Sequence, residues 1–291
     1  MAKKQEIEVL RIMGAFGIVW FHSLNWGREI AYSGLIVFLI ISMYFAVKSK
    51  RDNLIVKRME RLLIPWAFWG VIYGVLNIMQ QRPFLITGNG IVAGLLTGTS
   101  IHLWYIPFVF ISIAFFSVLR KFLPEKVLVY GSFSLMCIVF ITTQFWRPWS
   151  LQAGIPWAQH IHSLPGVLFG VFIGLRKDYK KRNTALLIIL VSFIIVLFSR
   201  SFPEVSVTYL IGIALTSIAI LPEWNFPSVV RVDWISECTY GIYLVHIGWL
   251  MFIKRFDITM EIMLPVLVFI LSLITVLIIK KITPAISEKI T

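Results

Sequence analysis

The chain has 291 residues, of which 58% are hydrophobic, 15% aromatic and 14% charged, and its formal net charge is +13. A soluble globular domain carries roughly 25% charged residues, so this composition, with a mean hydropathy of +0.85, excludes a soluble protein and points to an all-α polytopic membrane helix bundle. The basic residues fall in short loops between apolar runs, which excludes nucleic acid as the partner and makes the charge an orientation signal for the lipid bilayer.

Lys3 and Lys4 precede the first apolar run with no small-residue cleavage site behind it, so the first span is expected to be a retained signal anchor. Spans long enough for about 30 Å of hydrocarbon when tilted are predicted near 9–26, 30–47, 62–80, 103–119, 127–144, 160–175, 184–200, 205–221, 235–253 and 262–280. The sixth is short and the boundary between the first two is tight, so the count is nine or ten. Ten places both termini on one side. Twenty of the 27 Lys and Arg residues fall on that side, while Arg28, Arg82, Arg147, Arg200, Lys254 and Arg255 fall on the other and Arg11 lies within the membrane. The expectation is therefore a multi-pass protein of the cell membrane with both termini cytoplasmic. Residues 1–291 read as one integral membrane domain without internal repeats. The longest outer loops, about 81–102 and 145–159, are rich in aromatic residues, Gly and Pro. Cys137 and Cys238 sit in or beside apolar segments, so no disulfide framework is expected.

Within the first span, Arg11 and His22 are eleven residues apart, close to three full turns, so both project from one helix face roughly 16 Å apart along its axis. Everything between them, Ile12 to Phe21, is apolar. A cation and an imidazole inside a membrane helix are costly, and such residues usually mark a functional pathway. Polar Ser23 and Asn25 follow. A neutral imidazole can take a proton from a hydroxyl, which makes His22 the candidate general base, whereas a structural histidine would only bond to a neighbouring helix. Glu8 can pair with Arg11 one turn away, and Glu237 at the start of the ninth span can act likewise.

Arg58 and Arg61 in the first cytoplasmic loop stand three apart on an expected helix. Two guanidiniums on one face suit a multiply charged phosphate ligand, although positive-inside topology alone also explains them. His102 opens His102-Leu103-Trp104-Tyr105, where Trp104 and Tyr105 also fit an interfacial aromatic belt. Tyr243 and His246 lie on the ninth span, where His246 suits a hydrogen bond within the bundle. His160 and His162 flank an outer loop and face opposite sides of a helix or the same side of a strand. No carboxylate or Cys lies at ligand spacing from that pair, so no metal site is expected.

Four stretches of this chain resemble the membrane acyltransferase 3 family, multi-span acyltransferases that modify cell-surface glycans and other extracytoplasmic acceptors. They are Leu10-Arg11 through Phe21-His22-Ser23, like the family's Arg-x10-His helix; Arg58-Met59-Glu60-Arg61 followed by Pro65, like its Arg-x-x-Arg segment; His102-Leu103-Trp104-Tyr105; and Ser236 through Tyr240-Gly241-Ile242-Tyr243-Leu244-Val245-His246. The resemblance implies that acetyl-CoA, or another acyl-CoA, enters from the cytoplasm as acyl donor. Its phosphates would lie near Arg11, Arg58 and Arg61 and its pantetheine arm would reach toward His22. His22, with Arg11, would serve transfer to a hydroxyl of an extracytoplasmic glycan or other acceptor, directly or through an acyl-imidazole. His102, Trp104, Tyr243 and His246 are the expected substrate-binding residues, without a metal. An oligomer is compatible with this reading. Met43 stands where the family pattern has Gly in the second span, and the chain ends too soon after its last span for an added esterase-like domain. The rival expectation is a small-molecule or proton-coupled transporter of the same fold, which an intramembrane Arg and His would also serve.

Overall fold

The computed structural model describes residues 4–23, 26–49, 54–176, 181–221, 231–256, 262–284 and 290. Among the described residues there are thirteen α-helices, two short 3-10 turns at 101–104 and 254–256, and no strand. The helices are α1 Gln5–His22, α2 Arg28–Lys48, α3 Leu54–Met79, α4 Ile91–Thr97, α5 Tyr105–Phe122, α6 Glu125–Ile141, α7 Thr143–Ala153, α8 Trp157–Leu175, α9 Lys181–Ser199, α10 Pro203–Ile220, α11 Asp233–Ser236, α12 Thr239–Ile253 and α13 Met263–Ile282. Each of the ten predicted spans coincides with one of them. Asn25 and the basic residues Lys3, Lys50, Arg51, Lys177, Lys180 and Lys289, used above for orientation, lie outside the described residues.

Among the described residues, six segments are long and apolar enough to cross a membrane on their own: α2, α3, the turn at 101–104 with α5, α8, α10 and α13. Helices α6 and α7 qualify together but are bent by 79°. Helix α1 carries Glu6, Glu8, Arg11 and His22, and α12 has 15 residues, so neither stands out by hydropathy alone. Contacts between helix ends agree with the ten-span order. Arg120 Nη1 at the end of α5 donates to Val47 O at the end of α2 (2.6 Å). Arg147 pairs with Glu204 (2.9 Å), Asn89 Nδ2 donates to Ile155 O (2.8 Å), and Lys280 Nζ donates to Glu237 O (3.2 Å). Every one of these joins two ends that ten alternating spans put on the same side.

The chain forms two compact units, Met1–Phe38 with Val207–Thr291, and Leu39–Ser206. In the first, α12 packs along α13, and α1 lies against both. Phe16 meets Phe269 edge-on at 5.6 Å, and Trp249 Nε1 donates to Thr275 Oγ1 at 2.9 Å. Helix α1 crosses the first half of α2 at small residues, because apolar packing in lipid depends on close backbone approach. A Cβ on Gly17 would stand 2.7 Å from Ala31 O, and one on Gly34 would run into the backbone of Gly14.

In the second unit α6 lies against α8 and α9, and α3 lies against α5. The second half of α2 meets α8 at Gly170 and Gly174, four residues apart on one face. Here Met43, the departure from the family pattern, finds its room. It is fully buried, and a Cβ on Gly170 would stand 2.7 Å from Met43 Cβ. The two helices approach closely here because position 170 is glycine. Arg120 covers the carbonyls of Val47 and Ser49 at the end of α2, where a cation also complements the helix dipole. Helix α7 lies in a stretch expected as loop. The sequence Thr143-Gln144-Phe145-Trp146-Arg147 mixes polar and aromatic residues too evenly to read as a span, and Phe145, Trp149 and Leu151 are exposed. That pattern suits a helix lying along the bilayer interface. The bend before it is eased by hydroxyls: Thr142 Oγ1 donates to Ile138 O and Thr143 Oγ1 to Phe140 O, both at 2.7 Å.

Candidate active site

In the first unit the site is built on α1. Arg11 Nη1 donates to Glu8 Oε2 at 3.1 Å across one helical turn, as the spacing predicts. The same carboxylate oxygen accepts the hydroxyl of Ser236 at the end of α11. Glu8 is 6% exposed, and a carboxylate so buried is tolerable only with partners of this kind. A turn earlier, Gln5 Nε2 donates to both carboxylate oxygens of Asp233 at 3.2 Å while its Oε1 accepts Val232 N–H at 3.2 Å. This end of α1 is thereby clamped to α11, and Arg11 is held in place.

At the other end of α1, the His22 and His246 rings stand 5.2 Å apart, tilted by 49°. His246 is fully buried on α12, and its Nδ1 lies 2.7 Å from Tyr243 O. A carbonyl only accepts, so Nδ1 carries the proton and Nε2 keeps its lone pair. The ring of Tyr243 lies 5.9 Å from His246. Ser236 to His246 thus runs beside Glu8 and Arg11 to His22, in the same chain direction. Arg11, His22, Tyr243 and His246 come together in one unit. Ser236 is the residue that sequence reasoning left without a role: its partner Glu8 is distant in the chain, and only the side-by-side course of the two motifs reveals it.

An apolar cavity of about 320 Å³ opens in the same unit, lined by Leu10, Gly14, Gly17, Trp20, Gly34 and Ile211 among others. At 100° per residue its lining lies on the side of α1 away from Arg11 and His22. With Ser33 the one hydroxyl in its lining, it suits hydrocarbon rather than phosphate.

The second unit holds the remaining expected residues. On α3 the buried stripe runs through Pro65, Trp69 and Tyr73. Arg58 falls on this stripe and is half-buried, whereas Arg61 is exposed, so the two guanidiniums have different surroundings. His102 is 1% exposed, its Nδ1 2.9 Å from Ser100 Oγ and its ring edge-on to Tyr73 at 5.2 Å. The segment before it is pinned to α3: Asn77 Nδ2 donates to Thr99 O and Thr99 Oγ1 to Gly70 O, both at 2.7 Å. Trp104, read above as a candidate belt residue, is 6% exposed and faces His160 at 5.7 Å. His160 and His162 do point opposite ways from a helix, α8. His162 Nε2 donates to Glu204 O at 3.0 Å, and Glu204 is the partner of Arg147. Tyr73 and the surroundings of His160 were not singled out by sequence, where one aromatic residue among many carries no distinguishing spacing. Among the described residues no three His, Cys, Asp or Glu side chains come together to hold a metal.

Two imidazoles side by side, an arginine fixed eleven residues away along the same helix, and a largely apolar path between them provide for proton transfer at one end and anion binding at the other. The model of the acyltransferase domain family, acyltransferase 3, matches residues 4–281. No curated protein and no solved structure matches the chain. The match runs through both units and through every motif described above, and the chain belongs to the acyltransferase 3 family of membrane acyltransferases.

Proposed function

We propose that the protein moves an acyl group, acetyl by preference, from cytoplasmic acyl-CoA to a hydroxyl of an extracytoplasmic acceptor, a cell-surface glycan, with His22 as general base. The observation that carries this reading is the pairing of Arg11–Glu8–Ser236 at one end of α1 with His22–His246 at the other. Arg11 in the first unit, and Arg58 and Arg61 in the second, are each a guanidinium suited to the donor's phosphates. The roughly 16 Å between Arg11 and His22 is of the order of an extended pantetheine arm. His22 takes the proton of the acceptor hydroxyl as its oxygen attacks the thioester carbonyl. The C–S bond then breaks, and the proton leaves with the CoA thiolate, so His22 returns neutral. His246, its Nδ1 proton committed to Tyr243 O, offers Nε2 to the same hydroxyl or to His22 and holds the base in register. Tyr243 beside His246 in the first unit, and His102 and Trp104 in the second, are the proposed substrate-binding residues, each within its own unit. The cell membrane, with both termini cytoplasmic, is the location this direction of transfer requires.

The test is binding and hydrolysis of acetyl-CoA by purified protein in liposomes, for wild type, His22→Ala and Arg58→Ala/Arg61→Ala. The expected result is binding without turnover in the histidine variant and lost binding in the arginine variant. Wild-type turnover by His22→Ala overturns the base, and failure of the wild type to bind any acyl-CoA overturns the donor.

A further inference from the structure

Arg28 is the first residue of α2 and lies in the first unit, on the side opposite the twenty Lys and Arg residues that positive-inside topology explains. Its guanidinium carbon stands 4.6 Å over the centre of the Phe21 ring. That ring meets His22 edge-on at 5.2 Å and lies 4.5 Å from Tyr32. The first two distances together hold the guanidinium within about 10 Å of the His22 ring, a range over which charges in a low-dielectric setting still act on each other. Stacking on Phe21 occupies one face of the planar fork and uses none of its five N–H donors. Among the described residues no hydrogen-bond partner reaches the buried Nε of Arg28, and no carboxylate pairs with it. Glu29, its neighbour in sequence, is exposed. A half-buried cation without an anion beside it is costly to keep.

Acyl transfer at His22 has a need that the two imidazoles do not meet. When the acceptor oxygen attacks the thioester carbonyl, an electron pair of the C=O bond moves onto oxygen, and negative charge builds beside the base. A donor aimed at that oxygen is usually the largest single contribution to such a reaction. Donors around this end of α1 are committed elsewhere. Ser23 Oγ donates to Val19 O at 2.9 Å, Trp20 Nε1 to Trp26 O at 2.7 Å, and His246 Nδ1 to Tyr243 O at 2.7 Å. Arg11 lies roughly 16 Å away along the helix and is paired with Glu8. Arg28 has donors to spare, and a guanidinium keeps its charge when partly desolvated, where a lysine sheds its proton readily.

We infer that Arg28 is a catalytic residue of the acyl transfer, the donor that binds the thioester oxyanion. This rests on the acyl-CoA reading of His22. As His22 takes the proton of the acceptor hydroxyl, the acceptor oxygen bonds to the carbonyl carbon, and Arg28 donates to the carbonyl oxygen as it turns anionic. When the C=O bond re-forms, the C–S bond breaks, the thiolate takes the proton from His22, and Arg28 is released unchanged. Phe21, on which the guanidinium stacks, and His22 are consecutive residues of α1. Base and oxyanion donor are therefore held by one helix end, which is the fixed geometry that such chemistry requires. The two arginines of this unit then divide the donor between them, Arg11 at its phosphates and Arg28 at its carbonyl.

The experiment compares wild type, Arg28→Gln, Arg28→Lys and, as a control for charge on the same side, the exposed Arg82→Gln, each purified in liposomes. Three quantities are read: hydrolysis of acetyl-CoA with water as acceptor, affinity for acetyl-CoA, and affinity for trifluoroacetonyl-CoA. The hydrated ketone of that analogue is a tetrahedral carbon with oxygen where the oxyanion forms, so it reports on transition-state binding. Arg28→Gln should lower hydrolysis about 10²–10³-fold, the usual cost of one oxyanion donor. Its affinity for the ketone should fall by a similar factor, while acetyl-CoA affinity stays within about twofold, because the ground-state carbonyl carries no charge. Arg28→Lys keeps a cation over Phe21 and should recover part of both losses, and it carries the test should Arg28→Gln melt below wild type. Arg82→Gln should match wild type throughout. Equal losses of affinity for the two ligands would reduce Arg28 to a structural residue and overturn the assignment. Unchanged hydrolysis in Arg28→Gln would also overturn it, and in both cases the acyl-CoA reading stands. A wild type that neither binds nor hydrolyses any acyl-CoA overturns that reading and the oxyanion role with it.

Discussion

The two units use histidine in opposite ways. In the first, His22 and His246 sit within continuous helices, 5.2 Å apart and facing each other, with an ion pair fixing the far end of α1. In the second, His102 and His160 sit at or before helix starts, facing Tyr73, Trp104 and Phe108, and their positions depend on loop contacts such as Asn77 to Thr99 and Asn89 to Ile155. Proton transfer needs groups held to a fraction of an ångström, which packed helices supply. Recognition of varied ligands tolerates loop-borne aromatic surfaces with a few polar atoms.

Substitutions can break this contrast or sharpen it. The largest effect is expected at His22: replacement by Ala should lower turnover about 10²–10⁴-fold, the usual contribution of a general base, with acetyl-CoA still bound. A smaller loss, read from initial rates in liposomes, would reduce His22 to a structural residue. Glu8→Gln removes the carboxylate shared by Arg11 and Ser236 and should cost about 1.5–3 kcal/mol, the worth of hydrogen bonds to a charged group. Thermal unfolding checks this, and an unchanged midpoint would mean that the clamp contributes nothing. Gly170→Ala pushes a methyl toward Met43 and Ile40 and should cost about 1–3 kcal/mol by overpacking, without altering acetyl-CoA affinity. Should Gly170→Ala leave stability unchanged, the close contact of α8 with Met43 is not a packing constraint. The smallest effect is Arg120→Ala, which strips the cap from α2 and should cost about 0.3–1 kcal/mol, less at high salt.

What could be read in advance follows the range of the interaction. The long apolar helices were legible because hydropathy is local, and α1 revealed Arg11, His22 and Glu8 because a helix repeats every 3.6 residues. Helix α7 was not legible, since an amphipathic interfacial helix has no apolar run. Met43 gave no sign in the sequence of its neighbour Gly170, because the two are 127 residues apart and meet only where α2 packs on α8. Ser236 and His246 stood in a recognisable motif, but their partners Glu8 and His22 lie at the far end of the chain. The Arg58 and Arg61 pair shows the limit of spacing: three residues apart on α3, one is half-buried and the other exposed.

The proposed role of His22 and His246 is that of one proton-handling unit. Its most direct test is a double-mutant cycle on the rate of acetyl release from acetyl-CoA in liposomes, with His22→Ala, His246→Ala and the double variant at saturating donor. Residues that act together give losses that do not multiply. The account predicts a double variant within a few-fold of His22→Ala alone. Losses that multiply, or a His246→Ala variant with wild-type rate, would contradict it.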